Sequence, residues 1–214
     1  MIAVEKAINK SVQDIITPQH AIELLKAGNE RFRADNRIGR DYMAQVQDTA
    51  AGQFPFAAIV SCIDSRVPSE IVFDLGIGDV FNVRIAGNFI NQDILGSLEF
   101  ACKVAGSKAI VVMGHSSCGA VKGACDQVEL GNLTGLLEKI RPAVDAVNES
   151  GDRSSKNGAF VQRVAEKNVE LSVQNIREHS PLLNEMYEAG EIEIIGAMYD
   201  VASGEVIFMD SRFA

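Results

Sequence analysis

Residues 108–114 read KAIVVMG, and residues 56–62 read FAAIVSC. Each is a short apolar run bounded by proline, glycine or polar residues, which is typical of a strand buried on both faces. Another strand is predicted over 79–85, DVFNVRI, and a helix over 91–106, NQDILGSLEFACKVAG, which starts at a capping asparagine and stops at a glycine. Strands alternating with helices at this spacing favour βαβ units and a parallel sheet.

Helices are predicted on both sides of this central part of the chain. Thr17-Pro18 is a helix-start signal, because threonine can cap and proline is tolerated at the first helical position, and apolar residues then recur at helical spacing over 18–34. The segment 35–53 is polar and predicts a long connection. Within it we interpret residues 35–47, with Arg31, Arg33, Arg37 and Arg40 around them, as a solvated face or a subunit contact rather than an anion site. Further helices are predicted at 133–147, at 159–178 and from Pro181.

The C-terminal part of the chain carries two apolar runs, EIIGAMYD (193–200) and EVIFMD (205–210), on either side of Ala202-Ser203-Gly204. Two such runs around a small-residue turn predict a hairpin. We see no internal repeat and no convincing domain boundary. The sequence therefore predicts a single α/β domain, with a mostly parallel β-sheet flanked by helices and a C-terminal hairpin or edge strand.

Composition narrows the class of protein. With 47% apolar and 23% charged residues in 214, the chain is typical of a globular protein rather than a disordered one. Its net charge of −9, with no basic stripe, argues against nucleic acid as a partner. No stretch approaches the ~20 apolar residues of a membrane span, and residues 1–20 lack the apolar core of a secretory signal. We expect no membrane association and a cytoplasmic location.

Four cysteines are too few for a disulfide scaffold in a chain of this length, which fits a reducing compartment. Cys102 lies in an apolar helical run, and nothing near Cys125 in the sequence completes a site. We expect both to be buried, reduced side chains. Cys62 and Cys118 have different surroundings, because each lies in a short polar cluster just after a predicted strand.

These two clusters are Cys62-Ile63-Asp64-Ser65-Arg66 and His115-Ser116-Ser117-Cys118-Gly119. Open α/β sheets place their ligands beyond the carboxyl ends of the strands. If the two strands are neighbours, Cys62, His115 and Cys118 converge, and two thiolates with one imidazole are the ligands of several catalytic zinc sites that keep a fourth position open for water. Gly119 would let backbone and ligand approach closely.

Other interpretations of the same residues stay open at this point. His115 could be a hydrogen-bonded histidine at a strand end, and Asp64 with Arg66 could be a surface ion pair of little energetic weight. Asp64 could also serve as a fourth metal ligand, which would complete a tetrahedral, closed, structural zinc site with no position for water.

The segments SCIDSRVPSEIVFD, VFNVRIAGN and MGHSSCGAV closely resemble the β-class carbonic anhydrases, from about Gln53 to Val121. The resemblance implies a zinc enzyme that interconverts carbon dioxide and bicarbonate. The implied zinc ligands are Cys62, His115 and Cys118, and the implied catalytic dyad is Asp64 with Arg66.

The resemblance also implies residues that contact substrate. Gln53 matches a glutamine that hydrogen-bonds substrate, and Phe81 matches an aromatic residue that lines the substrate pocket; we place Gly119 with them. The family forms dimers or higher assemblies with active sites at the dimer interface, so we expect a homodimer or a homotetramer.

The chain also departs from the family's pattern. Some bacterial members carry an inhibitory bicarbonate site built from Trp, Arg and Tyr, which Arg84 and Tyr199 match. Ile59 lies where the tryptophan would be, and the chain contains no tryptophan. The resemblance therefore does not carry that site over. Ser107 likewise replaces a second aromatic residue of the plant-like members.

The residues themselves suggest a mechanism. Zinc lowers the pKa of bound water, which generates hydroxide, and Asp64 is placed to accept a hydrogen bond that orients it. Arg66, two residues on, can hold the carboxylate by a charge-assisted bond and keep it off the metal. Together with the resemblance, these roles predict reversible hydration of carbon dioxide, in which the Asp64–Arg66 pair orients the nucleophile and controls access to the metal.

Two further functional hypotheses remain. Relatives on the same scaffold hydrolyse carbon disulfide or carbonyl sulfide, and a non-catalytic zinc-binding protein would keep Asp64 on the metal. For the single domain we expect three regions, which are an N-terminal helical arm (1–34), a zinc-site core (54–130) and a helical and C-terminal strand region (131–214).

Overall fold

A computed structural model describes residues 7–209, and this part of the chain contains one five-stranded sheet. In chain order the strands are β1 (Ala57–Ser61), β2 (Val80–Arg84), β3 (Ala109–His115), β4 (Glu193–Tyr199) and β5 (Val206–Phe208). Their order across the sheet is β2-β1-β3-β4-β5, with the first four parallel and β5 antiparallel to β4. The predicted α/β fold, parallel sheet and C-terminal hairpin are confirmed.

Helices cover both faces of the sheet. In chain order they are α1 (Lys10–Ile15), α2 (Pro18–Arg33), α3 (Tyr42–Thr49), α4 (Ser69–Val72), α5 (Gln92–Glu99, continued by a π-helical turn over Phe100–Val104), α6 (Gly119–Cys125), α7 (Gly131–Glu138), α8 (Arg141–Ala146), α9 (Gly158–His179) and α10 (Pro181–Glu188). The apolar residues of α1, α2 and α4 pack on one face, and those of α5 to α10 pack on the other.

The central strands explain why this sequence forms a three-layer structure. Successive side chains of a strand point to opposite faces, and along β1 they join the two hydrophobic cores in turn: Ala58 and Val60 lie in one, Ala57 and Ile59 in the other. All five residues of β1 and all seven of β3 are buried, and both strands are apolar up to their last residues, Ser61 and His115. β2, at the sheet edge, is only half-buried.

Three parts of the chain differ from the sequence prediction. The connection 35–53 contains α3, whose first turn is capped by the Asp41 carboxylate, and Arg40 within it is buried rather than solvated. The predicted helix 133–147 is two helices, because Pro142 lacks the N–H that a helix interior needs and fits only the first turn of α8. α1 had no clear sequence signal.

Across residues 7–209 no helix is both long enough and apolar enough to cross a bilayer.

The topology brings the two polar clusters together. β1 and β3 are neighbours in parallel register, with Ser61 opposite Met113. The residues that follow them therefore leave the sheet at the same edge, and Cys62 and His115 become neighbours in space.

Candidate metal centre

Cys62, His115 and Cys118 form a buried cluster at the carboxyl edge of the sheet. One ligand atom from each lies within 4.8 Å of the others, and the two Sγ atoms are 4.0 Å apart. All three side chains are almost fully buried. Within the described residues, this is the group of three histidine, cysteine or acidic side chains whose geometry suits a metal ion.

Each member is held by the element that carries it. Cys62 directly follows β1, and its Sγ accepts a hydrogen bond from the Gly87 amide at 3.4 Å. His115 ends β3, and its Nδ1 lies 2.9 Å from the Ser116 carbonyl oxygen, which fixes this nitrogen as the donor. Cys118 caps the N-terminus of α6, where the helix dipole favours a thiolate.

The donor set fits zinc. His115 Nε2 is buried, has no hydrogen-bond partner and, with the proton on Nδ1, carries a free lone pair aimed at the two thiols. The pKa of Cys62 is lowered, chiefly by the hydrogen bond from the Cys118 thiol, and the pKa of Cys118 is raised by the neighbouring Cys62. The pair therefore loses its first proton easily and resists losing a second. The second proton is hard to remove because two neighbouring thiolates repel each other, and a divalent ion would offset that repulsion. Two thiolates and one imidazole are ligands of the kind that zinc prefers.

Asp64 and Arg66 form a bidentate ion pair beside this cluster. Arg66 Nε donates to Asp64 Oδ1 at 2.9 Å and Nη2 to Oδ2 at 2.7 Å, and the Arg66 amide adds a bond to Oδ1 at 3.0 Å. These bonds hold the pKa of Asp64 well below its usual range. Asp64 Oδ2 also lies 3.9 Å from His115 Nε2. The carboxylate is thus turned toward Arg66 while it remains next to the three candidate ligands.

The other predicted site residues lie apart from the cluster within this chain. Gln53 is exposed and precedes β1, so the length of that strand, about 16 Å, separates it from Cys62. Phe81, the second residue of β2, pairs with Ala58 and meets Phe100 edge-on, with ring centroids 6.0 Å apart. Gly119 begins α6, and a Cβ built there meets nothing within 4 Å.

Comparison with known proteins identifies the family of the chain. The carbonic anhydrase family model matches residues 57–206, which include every residue of the cluster and of the ion pair. A carbonic anhydrase of Mycobacterium tuberculosis is 38% identical over 208 residues, covering 90% of this chain and 93% of that one. A solved β-carbonic anhydrase of Aspergillus fumigatus superposes with a TM-score of 0.67 at 30% identity, covering 78% of this chain and 80% of that one. The chain belongs to the β-carbonic anhydrase family.

Other relatives of this family agree with the assignment. A Pseudomonas aeruginosa carbonic anhydrase is 29% identical and covers 84% of each chain. The solved β-carbonic anhydrases of Sordaria macrospora, which are tetrameric, include one that superposes with a TM-score of 0.65 at 26% identity, over 76% of this chain and 84% of that one.

Sequence reasoning missed the part played by Gly87 in this β-carbonic anhydrase. Its φ of +78° suits glycine, and a Cβ here would lie 2.3 Å from Ile140 Cδ1. The Asn168 side chain, on α9, holds the Gly87 carbonyl at 2.7 Å. These contacts aim the Gly87 amide at Cys62 Sγ. The signal was the Ala-Gly-Asn that follows Arg84 and Ile85, a turn sequence directly after a strand.

The two cysteines outside the cluster, Cys102 and Cys125, are structural. Cys102 and Cys125 are buried and free, as predicted. Burial raises the pKa of Cys102 to about 12 and that of Cys125 to about 11, so both stay protonated at neutral pH. A protonated thiol is a poor nucleophile and a poor metal ligand.

Proposed function

We propose that the protein catalyses the zinc-dependent, reversible hydration of carbon dioxide to bicarbonate. The observation that carries the proposal is the buried Cys62–His115–Cys118 cluster, whose His115 Nε2 has no hydrogen-bond partner, beside a carboxylate held by Arg66. A purely structural metal site has no use for a carboxylate that lies beside the ligands and is held off the metal by an arginine. Membership of the β-carbonic anhydrase family supports the same reaction.

Cys62 Sγ, His115 Nε2 and Cys118 Sγ would hold the zinc ion. Zinc held by these residues would supply Lewis acidity, which lowers the pKa of bound water and so makes hydroxide available as the nucleophile. The Gly87 amide and the Ser116 carbonyl fix the directions of Cys62 and His115, and such supporting contacts tune both the metal and its ligands.

Asp64 would orient the nucleophile. Its Oδ2 lies on the side of His115 Nε2 and can accept one more hydrogen bond, because the bonds from Arg66 leave lone pairs unused. A hydrogen bond donated by the hydroxide nucleophile to Asp64 Oδ2 would point a lone pair of the hydroxide oxygen at the carbon of carbon dioxide. Arg66 would keep the carboxylate in this position and prevent it from joining the three ligands.

A second copy of the chain would complete the substrate pocket. Gln53 and Phe81 cannot reach the cluster of their own chain, since both lie well before the carboxyl edge of the sheet. The edge strand β2 and the neighbouring α5 leave Phe81 and Phe100 around an open cavity of about 570 Å³. We infer that these residues serve the site of the partner subunit in a homodimer or a larger homo-oligomer.

Zinc analysis combined with stopped-flow carbon dioxide hydration tests the proposed reaction. We expect about one zinc per chain and rapid hydration, and we expect Cys118→Ala to lose both, because removing one of three ligands abolishes the site. Cys125→Ala is the matched control and should keep both. Wild-type protein that binds zinc and turns over only carbonyl sulfide or carbon disulfide, or nothing at all, would contradict the proposal.

Mixing two inactive variants tests the shared pocket. Gln53→Ala leaves the metal ligands intact, and Cys118→Ala leaves Gln53 intact, so a hybrid dimer contains one site with both. After dissociation and reassembly, the mixture should regain about a quarter of wild-type activity, because half of the dimers are hybrids and each has one complete site. Light scattering should give at least twice the 23.1 kDa chain mass. A mixture that stays inactive would show that Gln53 acts on its own chain.

A further inference from the structure

Arg84 reaches from one strand to the metal-binding loop of the next. It is the last residue of β2 and pairs in register with Ser61, the last residue of β1. From there its side chain extends beyond the end of β1. Nε donates to the Cys62 carbonyl oxygen at 3.0 Å, and Nη2 donates to the Asp64 carbonyl oxygen at 2.6 Å.

The two carbonyls that Arg84 binds belong to a candidate metal ligand, Cys62, and to the carboxylate residue beside it, Asp64. Cys62 offers its Sγ to the metal cluster, and Asp64 offers its carboxylate to Arg66. Carbonyls of an irregular loop have no strand partner and must find other donors. A guanidinium group is planar and rigid, so two of its N–H groups fix the relative orientation of two acceptors better than two separate donors would.

The segment after Arg84 also donates hydrogen bonds to the start of this loop. The Ile85 amide donates to the Ser61 carbonyl oxygen at 3.0 Å, and the Gly87 amide reaches Cys62 Sγ. Residues 84–87 therefore contact the chain at 61, at both ends of Cys62 and at 64. Ile63, between the two held carbonyls, leaves most of its side chain in solvent, so its own packing does not hold the loop in place.

We propose that Arg84 is a positioning residue that sets the direction of the Cys62 thiolate and of the Asp64 carboxylate together. It touches neither the metal nor the substrate and acts through the backbone of residues 62–64. The inference rests on the proposed function for the consequences at Asp64, but its consequence at Cys62 requires only that the cluster binds zinc.

Arg84→Ala, Arg84→Lys and a control variant test this role. The control is Asn82→Ala, because Asn82 lies two residues earlier on the same face of β2 and loses only a side-chain bond to Glu70 Oε1 at 2.9 Å. Zinc dissociation constants come from competition with a chromophoric chelator. Unfolding temperatures of the zinc-free proteins report on the fold, and kcat/KM for carbon dioxide hydration reports on the whole site.

We expect Arg84→Ala to weaken zinc binding and to lower kcat/KM by about 10- to 100-fold each, the usual cost of losing a contact that orients a metal ligand. Asn82→Ala should match wild type in zinc affinity, which is the readout it controls, because Asn82 lines the cavity between β2 and α5 and does not bind the loop of residues 62–64. Arg84→Lys should recover part of both losses, because an ammonium group can hold one of the two carbonyls but not both in a fixed plane. The unfolding temperatures of the zinc-free proteins should agree, which separates positioning from a general structural role.

The outcomes separate this inference from the proposed function. Wild-type zinc affinity in Arg84→Ala would overturn the inference even if the wild-type enzyme is fully active. Zinc affinity that falls as expected in a protein without hydration activity would refute the proposed function and uphold the role of Arg84 at Cys62. If Arg84→Ala does not fold, Arg84→Lys decides, and wild-type zinc affinity in that variant with an unchanged unfolding temperature would overturn the inference.

Discussion

Two of the aspartate–arginine pairs in the described residues share the same chemistry but lie in opposite surroundings. Asp64 and Arg66 lie at the carboxyl edge of the sheet, with side chains 17% and 49% exposed. Asp74, which follows α4, and Arg40, which precedes α3, have side chains that are 3% and 1% exposed. The exposed pair stands next to the unpartnered His115 Nε2, and the buried pair stands next to no candidate ligand.

Asp74 binds groups from several segments of the chain, whereas the charged partner of Asp64 is a close sequence neighbour. Asp74 accepts bonds from Arg31 on α2 at 2.6 Å, from the Ile38 amide at 3.2 Å and from Arg40 at 2.5 Å, and Arg40 also binds the Asp74 carbonyl. Burial raises the pKa of Asp74, and the bonds from Arg31 and Arg40 outweigh it and lower the pKa overall. This network ties three segments together, so it stabilises the fold. Asp64 has a single charged partner two residues away and can exchange it without unfolding anything.

Removing one partner of the buried pair should produce the largest change in stability. Arg40→Ala leaves the buried Asp74 carboxylate with the Ile38 amide and with Arg31 as its remaining charged partner. Breaking a buried pair costs about 3 kcal/mol in the free energy of unfolding when part of the charge stays compensated, as Arg31 ensures here. Arg33→Ala is the matched control, since its pair with Glu205 is exposed and should be worth less than about 1 kcal/mol. Chemical denaturation measures both. Equal losses would mean that burial does not separate the two kinds of pair.

Asp79 sharpens the same comparison, because it is a buried aspartate without an ion-pair partner. Its Oδ2 accepts the Gly76 amide at 2.6 Å, and its Oδ1 has no partner. Burial raises its pKa to about 6; the Gly76 bond and the charge of Arg40 oppose this rise, and Asp74 adds to it. The folded state thus holds a proton that the unfolded state has already lost between about pH 4 and pH 6.

This raised pKa gives the pH dependence its sign. The contribution of Asp79 to stability is complete below the unfolded pKa of 3.8 and is lost as the pH rises through about 6, a change of up to about 3 kcal/mol. Asp79→Asn keeps the acceptor for Gly76 and cannot ionise. Denaturation of both proteins at several pH values should therefore show the variant gaining on wild type from about pH 4 to pH 8. Parallel curves would mean that Asp79 titrates normally.

The residues that sequence reasoning placed correctly are those whose neighbours are set by strand topology. Cys62 follows β1, while His115 ends β3 and Cys118 comes three residues later, so predicting the two strands brought the three residues together on the condition that the strands are neighbours, which they are. Arg40 was misplaced, because its burial depends on Asp74, thirty-four residues away, and no local pattern records such a contact. The aim of the Gly87 amide was missed for the same reason, since α9 fixes it through Asn168.

The Asp64–Arg66 pair at the carboxyl edge should have the smallest effect on stability, but it should affect activity. The chain supplies a matched control in Asp35 and Arg37, which have the same sequence spacing as Asp64 and Arg66. They form an exposed ion pair with an N–O distance of 3.5 Å, and they are not part of the metal cluster. Arg66→Ala and Arg37→Ala should both leave the unfolding transition close to wild type, because exposed ion pairs contribute little. Zinc content should also be unchanged in both, since neither arginine is a ligand.

Only Arg66→Ala should slow hydration. Without Arg66 the pKa of Asp64 returns toward its usual value of 3.8, which is still far below the assay pH, so the carboxylate stays charged and only its position is lost. The freed carboxylate can then occupy the fourth metal position and exclude water, and we expect kcat/KM to fall about 10- to 100-fold near pH 7. Hydroxide competes for that position more effectively as the pH rises, so the deficit should shrink toward pH 9. A deficit that is equal at every pH would show that Asp64 does not compete for the metal, and wild-type rates throughout would show that the pair at the site is as inert as Asp35 and Arg37.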